Sequence, residues 1–347
     1  MDRLNNGRPA SLAGENPRQG GVEALKFAPQ SLPDAPALNQ LSTYLELLKL
    51  RIVASVVLAS LAGYLMARPA TFSWTDLLSL AAVSFLCSAA SCVFNHAYEA
   101  ELDGRMARTR GRPLPSGRLK DPRRVWLLCY GLFAAGAAVA IVFLNLSVLA
   151  CFALGFATYA LVYTVWLKPR TPWSIVWGGA AGSFALLGGA VAARGGQLLA
   201  AAIVAGVFFL WTPPHYWSIA LRYRDDYARS GIPVLPIVAG EARTARIILL
   251  STALMVLVSV LLPLLLGAFG PFYYACAFLA ATIFLAGNWR LLKTPTGSAR
   301  LNFGLSFVYL AIYFVGSVVD AGFLGDAGNL KGFGLMARKF MDTASLY

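Results

Sequence analysis

Charged residues are scarce in this chain. Only 13% of its 347 residues are Asp, Glu, Lys or Arg, whereas 58% are hydrophobic. A soluble domain carries about 25% charged residues, so a water-soluble globule is excluded and lipid is the expected solvent. The basic residues behind the net charge of +13 lie between apolar runs, which favours orientation in a membrane over binding of nucleic acid.

Cysteine frameworks and targeting signals are also lacking. The five cysteines all lie in apolar runs and no pair has C-x-x-C spacing, so we expect small core residues, not a zinc or disulfide site. Residues 1–44 lack the apolar core of a secretory signal, and their acidic residues argue against a mitochondrial transit peptide. We expect a disordered cytoplasmic tail over 1–44, a membrane domain over 45–321 and a C-terminal tail over 322–347.

Long apolar runs dominate the rest of the chain. A helix needs about 20 residues to cross the hydrocarbon, and backbone groups in lipid must be paired within the segment. We therefore expect an all-α, polytopic membrane protein with nine transmembrane helices. The runs are 48–67, 77–98, 125–143, 146–166, 174–193, 198–221, 246–266, 271–287 and 303–320.

Lysine and arginine are distributed unevenly between these runs. The connections after runs two, four, six and eight carry almost all of them, and the other connections carry only Arg68 and Arg194. The positive-inside rule therefore predicts a cytoplasmic N-terminus. The connections after runs two and six are long and polar, which suggests a pseudo-repeat with one functional loop in each half.

Three oxygen-bearing side chains follow the second run at helical spacing. Asn95, Glu99 and Asp103 stand at i, i+4 and i+8, which places them on one face of a helix; we call this set the acid ladder. Its two carboxylates repel each other unless a cation lies between them, and hard oxygen ligands suit Mg²⁺ together with substrate phosphate oxygens. The alternative interpretation is a solvated charged loop.

Basic residues follow the acid ladder. They are Arg105, Arg108, Arg110 and Arg112. Guanidinium groups bind phosphate oxygens through two parallel hydrogen bonds, so the ladder and the arginines together predict a magnesium-bridged diphosphate. Tyr163, Lys168 and Arg170 end the fourth run on the same side of the membrane. They extend this anion site or, equally well, orient the helix at the membrane surface.

The sixth run ends in a second set of polar residues. Asp225 and Asp226 are adjacent, so both cannot face the same way on a helix, and Asp226 is the stronger candidate for metal binding. His215 follows two prolines in an apolar run, where a histidine can bind heme iron, act as a base or cap an interface. His96 lies one residue off the ladder face and is a weaker candidate.

These motifs resemble the UbiA superfamily of intramembrane prenyltransferases. The first is Asn95-x-x-x-acid-x-x-x-Asp103, followed by Arg108-Thr-x-x-Arg112-Pro-Leu. Three further strings narrow the resemblance to the heme O synthase (protoheme IX farnesyltransferase) branch, over residues 45–320. They are Tyr163-Thr-x-Trp-Leu-Lys168-x-Arg-Thr-Pro, Trp211-Thr-Pro-Pro-His215-Tyr-Trp and Asp226-Tyr227-x-x-x-Gly-Ile-Pro-x-Leu-Pro.

The resemblance implies helices around a central cavity and transfer of a farnesyl group from farnesyl diphosphate to a vinyl group of heme B, with addition of water. It implies Mg²⁺ as the cofactor and assigns three groups of residues. Magnesium and catalysis would depend on Asn95, Glu99, Asp103 and Asp226, with His215 as a further catalytic candidate. The diphosphate would be held by Arg108, Arg112, Lys168 and Arg170. Substrate contacts would come from His215, Tyr227 and Tyr163.

The resemblance also implies a setting. We expect a multi-pass protein of the bacterial inner membrane, with the mitochondrial inner membrane as the alternative. Its partners would be farnesyl diphosphate, heme B, the lipid bilayer and a downstream heme A synthase, with no nucleic acid.

One departure from the superfamily pattern bears on the acceptor. Many members carry an acid about three residues before the Asp pair, where this chain has Arg222 and Tyr223, so a second magnesium has fewer ligands. A prenyltransferase of an aromatic quinone precursor is the alternative function, but it predicts more acids in the second loop. A transporter is disfavoured because the polar residues cluster at one membrane face and not at mid-span.

Overall fold

The structure, a computed structural model, describes residues 40–69, 71–194 and 198–324. Nine long apolar helices in these residues occupy the nine predicted runs, and no strand is found among them. Their bounds are Leu50–Met66 (α1), Trp74–Tyr98 (α2), Pro122–Phe143 (α3), Leu146–Leu167 (α4), Ser174–Ala192 (α5), Leu198–Arg222 (α6), Glu241–Leu266 (α7), Pro271–Lys293 (α8) and Pro295–Leu324 (α9).

The helices confirm an all-α, multi-pass membrane protein. Helices α2 to α9 are long and apolar enough to cross a membrane, whereas α1, at 17 residues, is shorter. Nine spans and a cytoplasmic N-terminus therefore stay predictions. The helix starts follow local chemistry. The side chains of Ser73, Asp121 and Asn145 accept backbone N–H groups at the first turns of α2, α3 and α4.

The ends of the domain differ from the predicted boundaries. A short helix, Gln40–Leu47, covers the last five residues of the predicted tail, because Leu47 is buried against Ala90 and Val93 of α2. Helix α9 continues to Leu324, beyond the predicted end at 321. The ordered domain thus includes residues 40–44 and 322–324, and the remainder of both predicted tails lies outside the described residues.

Helices α1 and α5 cross with their backbones in contact. A Cβ atom at Gly63 would lie 2.0 Å from the carbonyl oxygen of Leu186, and one at Gly189 would lie 1.7 Å from that of Ser60. Small residues permit such close approach between membrane helices. This crossing fixes one wall of the cavity between the helices.

A cavity of about 520 Å³ lies between six helices. Its lining residues come from α1, α2, α4, α5, α6 and α9, and aromatic rings form much of the wall. Helix α3 packs outside against α2, while α7 and α8 pack against α6 and α9. The six inner helices therefore enclose a largely apolar space, and several of them end at the polar loops.

Candidate active site

The acid ladder keeps its helical register across the end of α2. Glu99 adopts φ −92° and ψ 11°, and the short helix Ala100–Gly104 follows it. The Glu99 amide nevertheless donates to the Asn95 carbonyl at 3.0 Å, and the Asp103 amide donates to the Glu99 carbonyl at 2.8 Å. All three ladder side chains are at most 5% exposed. Their burial requires partners, because unpaired carboxylates are costly away from water.

Each member of the acid ladder is paired with a cation from elsewhere in the chain. Lys49 donates to the amide oxygen of Asn95 at 2.6 Å. Arg112 pairs with Asp103 at 2.5 Å. The third pair joins Lys168 to Glu99. The ladder is thus already neutralised by side chains of the protein.

The two lysines respond differently to this environment. Burial lowers the pKa of Lys49 to about 8, since its partner is a neutral amide. Burial alone would lower the pKa of Lys168 too, but the Glu99 carboxylate outweighs it and raises the pKa above its usual value. Lys168 is thus firmly charged. Lys49 was not predicted as a site residue, because a lysine before an apolar run looks like any orienting charge.

A π-helical segment, Thr158–Leu167, presents Lys168 to the ladder. The Lys168 amide donates to the carbonyl of Tyr163, five residues earlier, at 2.9 Å. The Lys168 ammonium also lies 5.8 Å from the centre of the Tyr163 ring. A Cβ atom at Gly178 of α5 would lie 2.9 Å from this ring. The wide turn and the glycine together hold the Tyr163 ring beside Lys168. Turns of π-helix are often found at functional sites.

The second loop has a similar backbone. Helix α6 ends at Arg222, Tyr223 adopts φ −106° and ψ 25°, and the short helix Arg224–Ser230 follows. Asp226 is buried and Asp225 is exposed, so the two side chains point apart. The Asp226 carboxylate pairs with Arg229 and accepts the Ala107 amide of the first loop at 3.3 Å.

Further contacts join the two loops. The Arg108 guanidinium lies 5.1 Å from the centre of the Tyr223 ring. Met106 packs in one apolar cluster with Tyr227 and Ile232, and the Tyr227 hydroxyl accepts that of Tyr216 at 3.1 Å. Asp226 and Ala107 are 119 positions apart in sequence. The fold therefore brings the predicted residues of both loops to one site.

Arg170 is not brought into this group. Its exposed guanidinium donates to the carbonyls of Trp166 and Val165, at 2.6 Å and 3.3 Å. These carbonyls lie at the end of α4, where helical partners run out. Arg170 thus caps its own helix, and its contact with a diphosphate stays a prediction.

His215 faces the cavity between α6 and α9. Its ring stacks on Trp211 and Phe303, with centroid distances of 4.2 Å and 4.5 Å. The Ser306 hydroxyl donates to the Phe303 carbonyl at 2.6 Å and lies 2.7 Å from His215 Nδ1. Since that hydroxyl has one proton, Nδ1 must be the donor to Ser306. The lone pair of His215 is therefore on Nε2, which has no hydrogen-bond partner among the described residues.

His96 has a different environment. It is only 2% exposed, and neither ring nitrogen has a hydrogen-bond partner in the described part of the chain. It therefore stays outside the candidate site.

The oxygen set fits magnesium by chemistry. Asn95, Glu99, Asp103 and Asp226 offer only amide and carboxylate oxygens, which Mg²⁺ prefers. However, no three His, Cys, Asp or Glu side chains converge as metal ligands within residues 40–69, 71–194 and 198–324. The four oxygen side chains would hold a metal ion after their present cation partners move.

Known proteins resemble this chain in sequence and in fold. Residues 56–314 match the UbiA prenyltransferase family. Protoheme IX farnesyltransferase 2 of Paramagnetospirillum magneticum is 40% identical over 273 residues, which cover 78% of this chain and 94% of the relative. A structure of digeranylgeranylglyceryl phosphate synthase matches with a TM-score of 0.68 at 22% identity, over 82% of this chain and 99% of that one.

A second solved structure has the same fold. It is a UbiA homolog from Archaeoglobus fulgidus bound to DMAPP and Mg²⁺, with a TM-score of 0.55 and 17% identity over 78% of this chain and 99% of that one. The family match spans well over half of the chain, and the sequence relative covers most of both proteins. This chain therefore belongs to the UbiA prenyltransferase family.

Proposed function

We propose that this protein transfers the farnesyl group of farnesyl diphosphate to a vinyl group of heme B, with addition of water, and so produces heme O. One observation carries the proposal: a single cavity has His215 in its α6 wall and Cys92, one turn before the acid ladder, in its α2 wall. Donor and acceptor would meet in that space. The relative that is 40% identical, a protoheme IX farnesyltransferase by name, supports heme as the acceptor.

The donor diphosphate would bind at the mouth of the cavity. Arg112 and Lys168 already lie at the ladder, and Arg108 lies between the two loops. Fixed cations in a site shielded from water stabilise negative charge that develops on a leaving diphosphate. The oxygens of the acid ladder and of Asp226 would hold Mg²⁺, which supplies further neutralisation when bound. The Archaeoglobus fulgidus homolog, solved with DMAPP and Mg²⁺, supports this choice of metal.

The farnesyl chain would lie along the apolar walls of the cavity. When the bond between its first carbon and the diphosphate breaks, the diphosphate leaves with the electron pair and an allylic cation remains. Aromatic rings attract a cation placed over their faces, and an apolar wall keeps stray water away from it. The aromatic residues that line the cavity are Phe152, Phe156, Tyr159, Phe208, Trp211 and Phe307.

His215 would serve the acceptor. Its Nε2 lone pair belongs to a ring fixed by Ser306 and by two aromatic neighbours. Two roles fit this geometry: Nε2 takes the proton released when water adds, or it contacts the heme iron. Both roles place the acceptor against α6, opposite the acid ladder.

The test uses membranes that contain the full chain, supplied with farnesyl diphosphate and heme B. We expect diphosphate release and a heme product heavier by one farnesyl group and one hydroxyl group, because water adds and one proton is released. An Asp103→Ala variant should form the product at least about 10²-fold more slowly. Hydroxybenzoate offered in place of heme B should not react. Farnesylated hydroxybenzoate without heme product would establish the quinone-type alternative, and no transfer to either acceptor would refute the proposal.

We place this activity in the bacterial inner membrane, with heme O passing to a heme A synthase.

A further inference from the structure

Four basic side chains cover the oxygens proposed to hold the metal. Each of them pairs with a different oxygen-bearing side chain. The pairs are Lys49 with Asn95, Lys168 with Glu99, Arg112 with Asp103, and Arg229 with Asp226. We call the four basic residues the counter-cation set.

Lys49 shows that this arrangement is more than charge orientation. Its backbone has φ 50° and ψ 55°, the left-handed region, between the helix Gln40–Leu47 and α1. Few non-glycine residues adopt this conformation. An orienting lysine extends into water, yet this one turns inward to a neutral amide 2.6 Å away.

The members of the set on the ladder lie close enough to influence one another. The charges of Arg112, Glu99 and Lys168 all act on the Lys49 ammonium. A ligand at the ladder would therefore be within reach of several of these long side chains at once. Arg112 and Lys168 are also only 20% and 12% exposed, so a bound anion would meet them away from bulk water.

Charge balance limits how the site can be filled. In these four pairs, four cations face three carboxylates, so the pairs carry one excess positive charge, to which Arg108 between the two loops adds. A divalent metal bound without a diphosphate would increase that excess, and like charges repel. A metal together with a diphosphate ester adds roughly one negative charge and so reduces it. The counter-cation set therefore favours entry of both together.

We propose that the counter-cation set exchanges partners when substrate enters: its members leave the ladder oxygens to the metal and turn to the diphosphate. In this assignment Lys49 is a diphosphate-contacting residue. The inference rests on the proposed diphosphate chemistry of the same site. An exchange of partners makes a prediction about binding that a fixed salt-bridge network does not make. Removing one cation must strengthen binding of the metal alone and weaken binding of the diphosphate.

The experiment measures binding without turnover. Purified full-length protein is titrated with Mn²⁺ alone, followed by electron paramagnetic resonance, and then with farnesyl diphosphate in the presence of Mg²⁺ and no heme. Lys49→Gln is the principal variant, because its partner Asn95 is neutral and no buried charge is left unpaired. Lys168→Gln is the second. Arg124→Gln is the matched control, since Arg124 pairs at 3.5 Å with the exposed Asp121 at the start of α3 and belongs to neither polar loop's binding site.

We expect both lysine variants to bind Mn²⁺ alone roughly tenfold more tightly, because a like charge has left the site. We expect them to bind farnesyl diphosphate roughly tenfold more weakly, because a charge-assisted contact is lost. The control should change neither affinity. If Lys49→Gln, with an unchanged melting temperature, weakens both ligands or leaves the Mn²⁺ affinity unchanged, the exchange is refuted. Failure of the unmodified protein to bind farnesyl diphosphate at all would instead refute the proposed function.

Discussion

The two polar loops share a backbone plan and differ in their acids. In each half a long helix is interrupted at one residue, Glu99 in the first and Tyr223 in the second. A short helix follows and carries a buried aspartate, Asp103 or Asp226. This common plan is the structural form of the pseudo-repeat that the connection lengths suggest.

The halves diverge in the turns before the aspartate. Glu99 and Asn95, the other two side chains of the acid ladder, lie four and eight residues before Asp103. The corresponding residues before Asp226 are Arg222 and Ser218. Arg222 is exposed, and the Ser218 hydroxyl donates to the Pro214 carbonyl at 2.6 Å. His215 lies three residues before Ser218. The first half thus has three oxygen-bearing side chains in helical register, and the second has a single buried acid together with His215.

The largest effect is expected from the single acid of the second half. We expect Asp226→Asn to lower the rate of diphosphate release about 10³-fold and Asp103→Asn about 10²-fold, because Glu99 remains beside Asp103. Initial rates at equal amounts of folded protein measure both. Asp225→Asn, a change at the exposed neighbour, is the control and should have no effect. A greater loss in Asp103→Asn would show that the first half has no such redundancy.

The division between donor and acceptor halves predicts the next effect. His215→Phe should lower heme farnesylation by roughly 10²-fold, the usual range for a lost acid–base group. Its affinity for farnesyl diphosphate should be unchanged, whereas Arg112→Met should weaken that affinity. Transfer rates and equilibrium binding of the donor distinguish the two variants. Weaker donor binding in His215→Phe would place the histidine on the donor side.

The ion pairs of the two halves should differ in stability. Lys168 and Glu99 are 12% and 5% exposed, so Lys168→Met leaves a buried charge and should destabilise the fold by about 3–5 kcal/mol. Asp226 is also buried, but its partner Arg229 is 58% exposed and the Ala107 amide still donates to the carboxylate, so Arg229→Met should cost only about 1 kcal/mol. Unfolding in detergent measures both changes. The double variant Lys168→Met/Glu99→Gln should recover much of the loss, and equal losses in both halves would contradict the contrast.

The smallest effect would come from making the second half resemble the first. Arg222→Glu restores an acid four residues before Asp226. Because ligand charge count sets metal affinity, Mn²⁺ binding should tighten by roughly 0.5–1 kcal/mol, as for a surface charge pair. Arg224→Glu, on an exposed neighbouring position, is the matched control. An unchanged affinity would mean that the exposed position 222 is too far from the metal.

Much of the fold could be predicted from the sequence because lipid imposes simple rules. Apolar runs located all nine long helices of the described residues. The errors in the predicted helix bounds occur where hydrophobicity does not decide the structure. Helix α9 begins at Pro295, eight residues before the predicted run, because the polar Thr296, Ser298 and Arg300 extend the helix without contributing hydrophobicity. The π-helical turn at Thr158–Leu167 left no hydropathy signal at all.

The candidate site was predictable where its residues share one helix. Spacing alone placed Asn95, Glu99 and Asp103 on one face. Lys49 lies 46 residues away from its partner Asn95, so no local pattern reveals that contact. Arg170 shows that side-chain direction is equally hidden, because a basic residue beside a site can also cap its own helix. Long-range pairing and side-chain direction come from packing, which one sequence does not display.

The hydrogen bond from the Ala107 amide to Asp226 has a practical consequence for protein engineering. The Asp226 carboxylate of the second loop is oriented by a backbone amide of the first loop. Chimeras that swap one half between family members would keep every side chain and still misalign this carboxylate. The loop around Ala107 should therefore be transplanted together with α6, as one exchangeable unit, if acceptor preference is to be moved from one scaffold to another.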